Sequence, residues 1–320
     1  MEKLPILGYF VEKPSTITMT TPKTNRFFIL MTFVYLIAGL TSTYFMVKNA
    51  QAYNKQKTQY TETLNFQDRL LNAREWMFAS EWDKKRVEAD KIFAEARVNY
   101  TLAKRWGYLN AAVLVIYLIL ILLFFRVNSL FYKKMSIGFI SIAFVCLVAG
   151  IFTPMLEIDA FSKNLEIPLK TKVNLGITKV NVDLSKTFEG RMYFYYQNKS
   201  ITGLIELLFQ KKNWIVGGAI LAFSVLVPLV KLIFSLLLLF SGIARNSDWI
   251  KRLISSIGKW SMADVFVAAI FLAYLSFQNM NSGINTESNP LLGAYFFLAY
   301  CLFSISSTYF IQASIKRELY

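Results

Sequence analysis

Residues 214–240 read WIVGGAILAFSVLVPLVKLIFSLLLLF, and residues 259–277 read KWSMADVFVAAIFLAYLSF. The apolar parts of both are of the length that carries a helix through a bilayer, about 20 residues. Each holds one misfit: Lys231, three residues after Pro228, and Asp264, five residues after Lys259. An ionisable side chain at membrane depth costs at least about 2.5–3.5 kcal/mol, so it is kept where it faces protein, water or an opposite charge. Pro228 has no N–H to donate, which frees the carbonyl near Ser224 and predicts a bend in the first helix. A bent helix, a hydroxyl and a cation within two turns suit a head-group site in a lipid-sized pocket. Two structural readings compete with it: a Lys231–Asp264 ion pair that locks two helices, or a lysine snorkelling to the interface. Lys231 lies 14 residues before Arg245, about 21 Å at helical rise, whereas Asp264 is about 7.5 Å past Lys259. That mismatch favours a polar cluster of Lys231, Asp264, Ser224, Ser261 and water over a single bridge.

The whole chain agrees with a membrane protein. Of its 320 residues 55% are apolar, and the mean hydropathy is +0.41. Six spans are expected: Phe27 to Val47, Trp106 to Phe125, Met135 to Met155, Asn213 to Phe240, Met262 to Phe277 and Leu291 to Gln312. The 26 residues before the first span are mostly polar and do not have the pattern of a cleaved signal peptide. Segments 1–26, 126–134, 241–259 and 313–320 hold 13 basic and 4 acidic side chains, while 278–290 has neither Lys nor Arg. By the positive-inside rule both termini are cytoplasmic, and residues 1–26 form a cytoplasmic tail. The formal net charge of +15 then serves orientation and anionic lipid headgroups, not nucleic acid.

Catalytic signals are missing. The chain has no histidine, the usual general base and commonest metal ligand. Cys146 and Cys301 sit inside apolar runs and read as packing residues. No phosphate-binding GxxxxGK[ST] motif occurs. The expectation is a protein with neither enzymatic activity nor cofactor.

Residues 49–105 contain neither Gly nor Pro and are rich in good helix formers, so the first two spans are expected to continue outward as an antiparallel, coiled-coil-like hairpin over residues 27–125. Tyr60, Leu64, Leu71 and Phe78 form one heptad-like stripe, and Ala89, Ile92, Ala96 and Ala103 form the other, with the tip near Ser80 to Lys84. The arm serves either to dock an envelope partner or as a rigid spacer. Pro154 ends the third span, and Glu157 and Asp159 beyond it are expected to be solvated. Alternation from Leu165 onward predicts about three strands in an external β-region, residues 156–200. Residues 201–209 read as an amphipathic interfacial helix, and 278–290 as an outer turn.

SVLVPLVKL, then GKWSMADVFVAAI, then LLGAYFFLAY, with FTPMLEI ahead of them, together resemble the membrane domain of the paraquat-inducible protein A family over about residues 136–315. The resemblance implies a tetraspanin-like four-helix membrane domain, here 135–315, with an external β-sheet. It also implies a bacterial inner-membrane protein that moves phospholipid across the envelope with an MCE-domain periplasmic partner. Its polar intramembrane residues would be Lys231, Asp264, Pro228 and Ser261. Family members often carry two such domains and cysteine-rich zinc ribbons, whereas this chain has one copy and no CxxC. The alternative function is a non-transporting scaffold or assembly subunit of an envelope complex.

Overall fold

The structure is a computed structural model that describes residues 22–77, 79–125, 130–168, 170–174, 179–183, 185–240 and 285–319. Five of its helices are long and apolar enough to cross a membrane. The expected span Met262 to Phe277, with Asp264, and the neighbouring Ser261 lie outside the described residues.

With no helix breaker after the first span, α1 (Pro22–Thr63) runs 42 residues and packs antiparallel along α4 (Ala79–Phe125), of 47 residues. Within the apolar part the rings of Tyr35 and Tyr117 stack at 4.1 Å. Asn110, buried there, donates to the Gly39 carbonyl and to the hydroxyls of Ser42 and Thr43 at 2.8–3.0 Å. Polar side chains in an apolar medium find each other in this way. Further out, buried Ala89, Ala96 and Ala103 let the two helices approach, and Tyr60 stacks on Phe93 at 4.9 Å.

The expected stripe stops early. Asn65 turns the chain, its side chain accepting from the Gln67 N–H at 2.8 Å to cap α2 (Phe66–Leu70), and α3 (Ala73–Met77) follows. Leu71, between them, is 82% exposed, so it does not continue the buried stripe of Tyr60 and Leu64. Phe78 lies outside the described residues.

α5 (Phe131–Phe152) is the most enclosed span, and it ends where Pro154 supplies no N–H. From there β1 (Leu156–Ile167) runs as the central strand between β4 (Lys186–Lys199) and β5 (Asn285–Pro290), antiparallel to both. β2 (Lys170–Asn174) and β3 (Lys179–Asp183) pair as a separate hairpin. Two sequence readings change here. Glu157 and Asp159 are 5% and 4% exposed, not solvated, because β1 lies beneath α1. Residues 285–290, read as part of a turn, form an edge strand.

The arm packs on this sheet. Tyr193 of β4 donates its N–H to the Leu64 carbonyl at 2.9 Å, and Arg69 bonds the carbonyls of Glu189 and Arg191. α9 (Leu292–Leu319) returns along α5. Gly150 and Gly293 make that approach feasible, since a Cβ would lie 2.9 Å from the Phe297 backbone in the first case and 2.3 Å from the Thr153 carbonyl in the second.

Candidate functional site: an apolar cavity beside a broken helix

Ser200 caps α6 (Ile201–Gln210) by accepting the Gly203 N–H at 3.1 Å. The apolar residues of α6 fall on one face, and Ile201 and Ile205 are buried. Lys212, with φ +60°, then reverses the chain into α7 (Trp214–Leu221). Phe209 of α6 stacks on Trp214 at 5.3 Å and lies against Gly217, where a Cβ would fall 2.7 Å from its ring.

α7 does not pass straight into α8 (Val227–Phe240). Residues Ala222–Leu226 form one π-helical turn, in which Val227 donates to the Ala222 carbonyl five residues back. Pro228 is the physical cause available in the sequence: it cannot donate to Ser224, and its ring crowds that carbonyl. Such wide turns interrupt helices at functional sites more often than elsewhere.

The break borders a cavity of about 490 Å³, within the roughly 300–1,000 Å³ range of ligand sites. α5 contributes Leu147 and Ile151, α6 contributes Ile205 and Phe209, and the broken helix contributes Val225 and Leu229. Polar groups stand only along α6. Thr202 donates to the Ile151 carbonyl at 3.5 Å, and Gln210 donates to Glu206 at 3.3 Å. The lining suits a hydrocarbon chain, and it contains no nucleophile paired with a base.

Ser224, Pro228 and Lys231 fall elsewhere on the same helix. All three are buried, together with Ser235, at spacings of three and four residues. None of them lines the cavity. Lys231 is 5% exposed and engages another group. The structure thus brings these three into one buried stripe, while Ser261 and Asp264 lie outside the described residues. Sequence reasoning missed Ser235, which a helical count from Lys231 reaches at i+4. It also missed the cavity walls, whose apolar residues look like ordinary lipid-facing ones.

Residues 188–317 match the family model described as Paraquat-inducible protein A. The matched segment is less than half of the chain; it spans most of β4, the α6 and α7–α8 walls of the cavity, Lys231 and nearly all of α9, and leaves out the helical arm and α5. No curated protein and no solved structure matches the chain.

Proposed function

We propose that this protein is a non-enzymatic lipid-transfer protein of the bacterial inner membrane, taking up or delivering phospholipid together with an MCE-type periplasmic partner. The observation that carries the reading is an apolar cavity between α5 and two further walls, an amphipathic helix and a π-broken span, both of which lie in the segment matching the paraquat-inducible protein A family. Acyl chain fills the cavity. Lys231, in the buried polar stripe one face away, supplies the charge that a phosphate passes on its way through the bundle. In this reading the membrane domain has the tetraspanin-like arrangement, the chain crosses six times, and both termini are cytoplasmic.

The test is mass spectrometry of lipid copurifying in mild detergent with the wild type, Val225→Trp and Lys231→Ala. Val225→Trp fills the cavity and is expected to lose most of the phospholipid that the wild type retains, at unchanged yield of folded protein. Lys231→Ala is expected to shift the retained classes away from anionic phospholipids. Equal lipid in all three would support a scaffold instead, a reading favoured by the buried contacts that fasten the arm to the sheet.

A further inference from the structure

At the base of the arm a second buried polar cluster sits between α1 and the sheet. Register puts Glu157 opposite Asn198 and Asp159 opposite Tyr196 on β4, and opposite Asn289 and Glu287 on β5. Directly opposed residues share a sheet face, as do residues two apart on one strand. Glu157, Asp159, Tyr196 and Asn198 therefore point together toward α1. From α1, Tyr53 donates to Glu157 Oε2 at 2.8 Å and the Lys57 ammonium stands 3.8 Å from Oε1. α4 covers this edge with Tyr100, its ring 4.9 Å from that of Tyr53.

The donors and acceptors do not balance. Glu157 takes the hydroxyl and the one nearby ammonium. Asp159 Oδ1 and Asn198 Oδ1 are both buried and have no hydrogen-bond partner, in residues 4% and 3% exposed. Two buried acceptors on one sheet face are costly in this state, because each loses water and gains no donor. One proton on Asp159 removes its buried charge and turns one of its acceptor oxygens into a donor.

We propose that Asp159 is a proton-binding site at the joint between arm and sheet, so that acidification fastens the two together. Burial foremost, then the neighbouring Glu157 and, less strongly, Glu287, push the Asp159 carboxyl up to about 6, while Lys57 and Arg191 pull it the other way. These, with Tyr53, Tyr100, Tyr193 and Tyr196, are the titratable groups around it among the described residues. Because the folded pKa lies above the ordinary value of 3.8, folding binds the proton more tightly than the unfolded chain does. The favourable contribution is complete below 3.8 and is lost as pH rises through about 6. The cluster does not line the cavity; Glu157 and Asp159 lie outside the segment that matches the family, Tyr196, Asn198 and Glu287 within it, and the test does not depend on lipid.

Hydrogen exchange of the full chain in lipid nanodiscs, corrected for the intrinsic pH dependence of exchange, measures the joint directly. Protection of residues 53–60 and 156–161 is expected to rise by roughly tenfold between pH 7.5 and pH 5, with its onset near 6, one pH unit of linkage being about tenfold. Amides in α5 serve as the internal reference and are expected to stay flat. Asp159→Asn, which donates at every pH, is expected to hold the protected level throughout. A flat wild-type profile, or the same rise in Asp159→Asn, would overturn the proposal. Should that variant fail to fold, the wild-type profile against α5 decides by itself.

Discussion

Arg69 holds several partners at once. Its Nε and Nη2 both reach Glu75 Oε1, at 2.8 and 2.7 Å, the guanidinium lies 3.7 Å from the Trp82 ring, and Nη2 and Nη1 also donate to the β4 carbonyls of Glu189 and Arg191. The residue is fully buried, so none of these contacts is diluted by water. Removing one member of a buried pair leaves its partner charge uncompensated, a cost of about 3–5 kcal/mol. Arg69→Ala is therefore expected to destabilise the arm–sheet unit by that order, with Lys85, 3.9 Å from the other Glu75 oxygen, relieving part of it. Urea unfolding followed by Trp fluorescence measures this, and adding Glu75→Gln should recover a substantial fraction. In sequence Arg69 is one of many charges in a polar, helix-forming stretch, and nothing local marks it as buried. The cap next to it, Asn65, ends the helix before Leu71, where the sequence reading carries the heptad stripe on.

At the scale of elements, α6 and α7 meet at a single small residue. A Cβ on Gly217 would collide with Phe209 and Leu208, whereas one on Gly218 would meet nothing within 4 Å. Overpacking a closed contact costs about 1–3 kcal/mol, and the helix must shift to relieve it. Gly217→Val is thus expected to lower the thermal unfolding midpoint and to push α6 off the cavity mouth. Gly218→Val should leave both nearly unchanged. Thermal scans in detergent, paired with thiol labelling of Ile205→Cys, separate the two outcomes, since Ile205 becomes reactive only when α6 lifts. Two strand boundaries eluded the sequence. β1 begins at Leu156, before the alternation that was read from Leu165, and β5 is NTESNP, six residues with the composition of a turn. The start of β1 does alternate, LEIDA, but follows directly on the end of a span, whereas β5 has no local signal, because it gains its ladder from β1, more than 120 residues earlier in the chain. The broken span was readable as a bend at Pro228; that the bend is absorbed by a π turn five residues long depends on the packing around it.

For the whole molecule, hydropathy marked segments that the structure bears out, among the described residues, as five spans long and apolar enough to cross a membrane, and the run without Gly or Pro marked the first two as continuing into one hairpin. It did not decide where the arm goes. The sequence left docking and spacing open, and the structure has the arm's tip packed on the chain's own sheet through the Leu64 carbonyl, Tyr193 and Arg69. An arm held in this way cannot swing as a free lever, and any partner meets arm and sheet as one surface. Spin labels at exposed Leu71, on the tip, and exposed Lys163, on β1, test this by double electron–electron resonance. One narrow distance distribution is expected, unchanged by salt because the fastening charges are buried and screened little. A broad or two-peaked distribution at neutral pH that collapses to the narrow one at pH 5 would locate the motion at the Asp159 joint. Breadth that persists at both pH values would mean that neither Arg69 nor the Glu157–Asp159 cluster holds the arm.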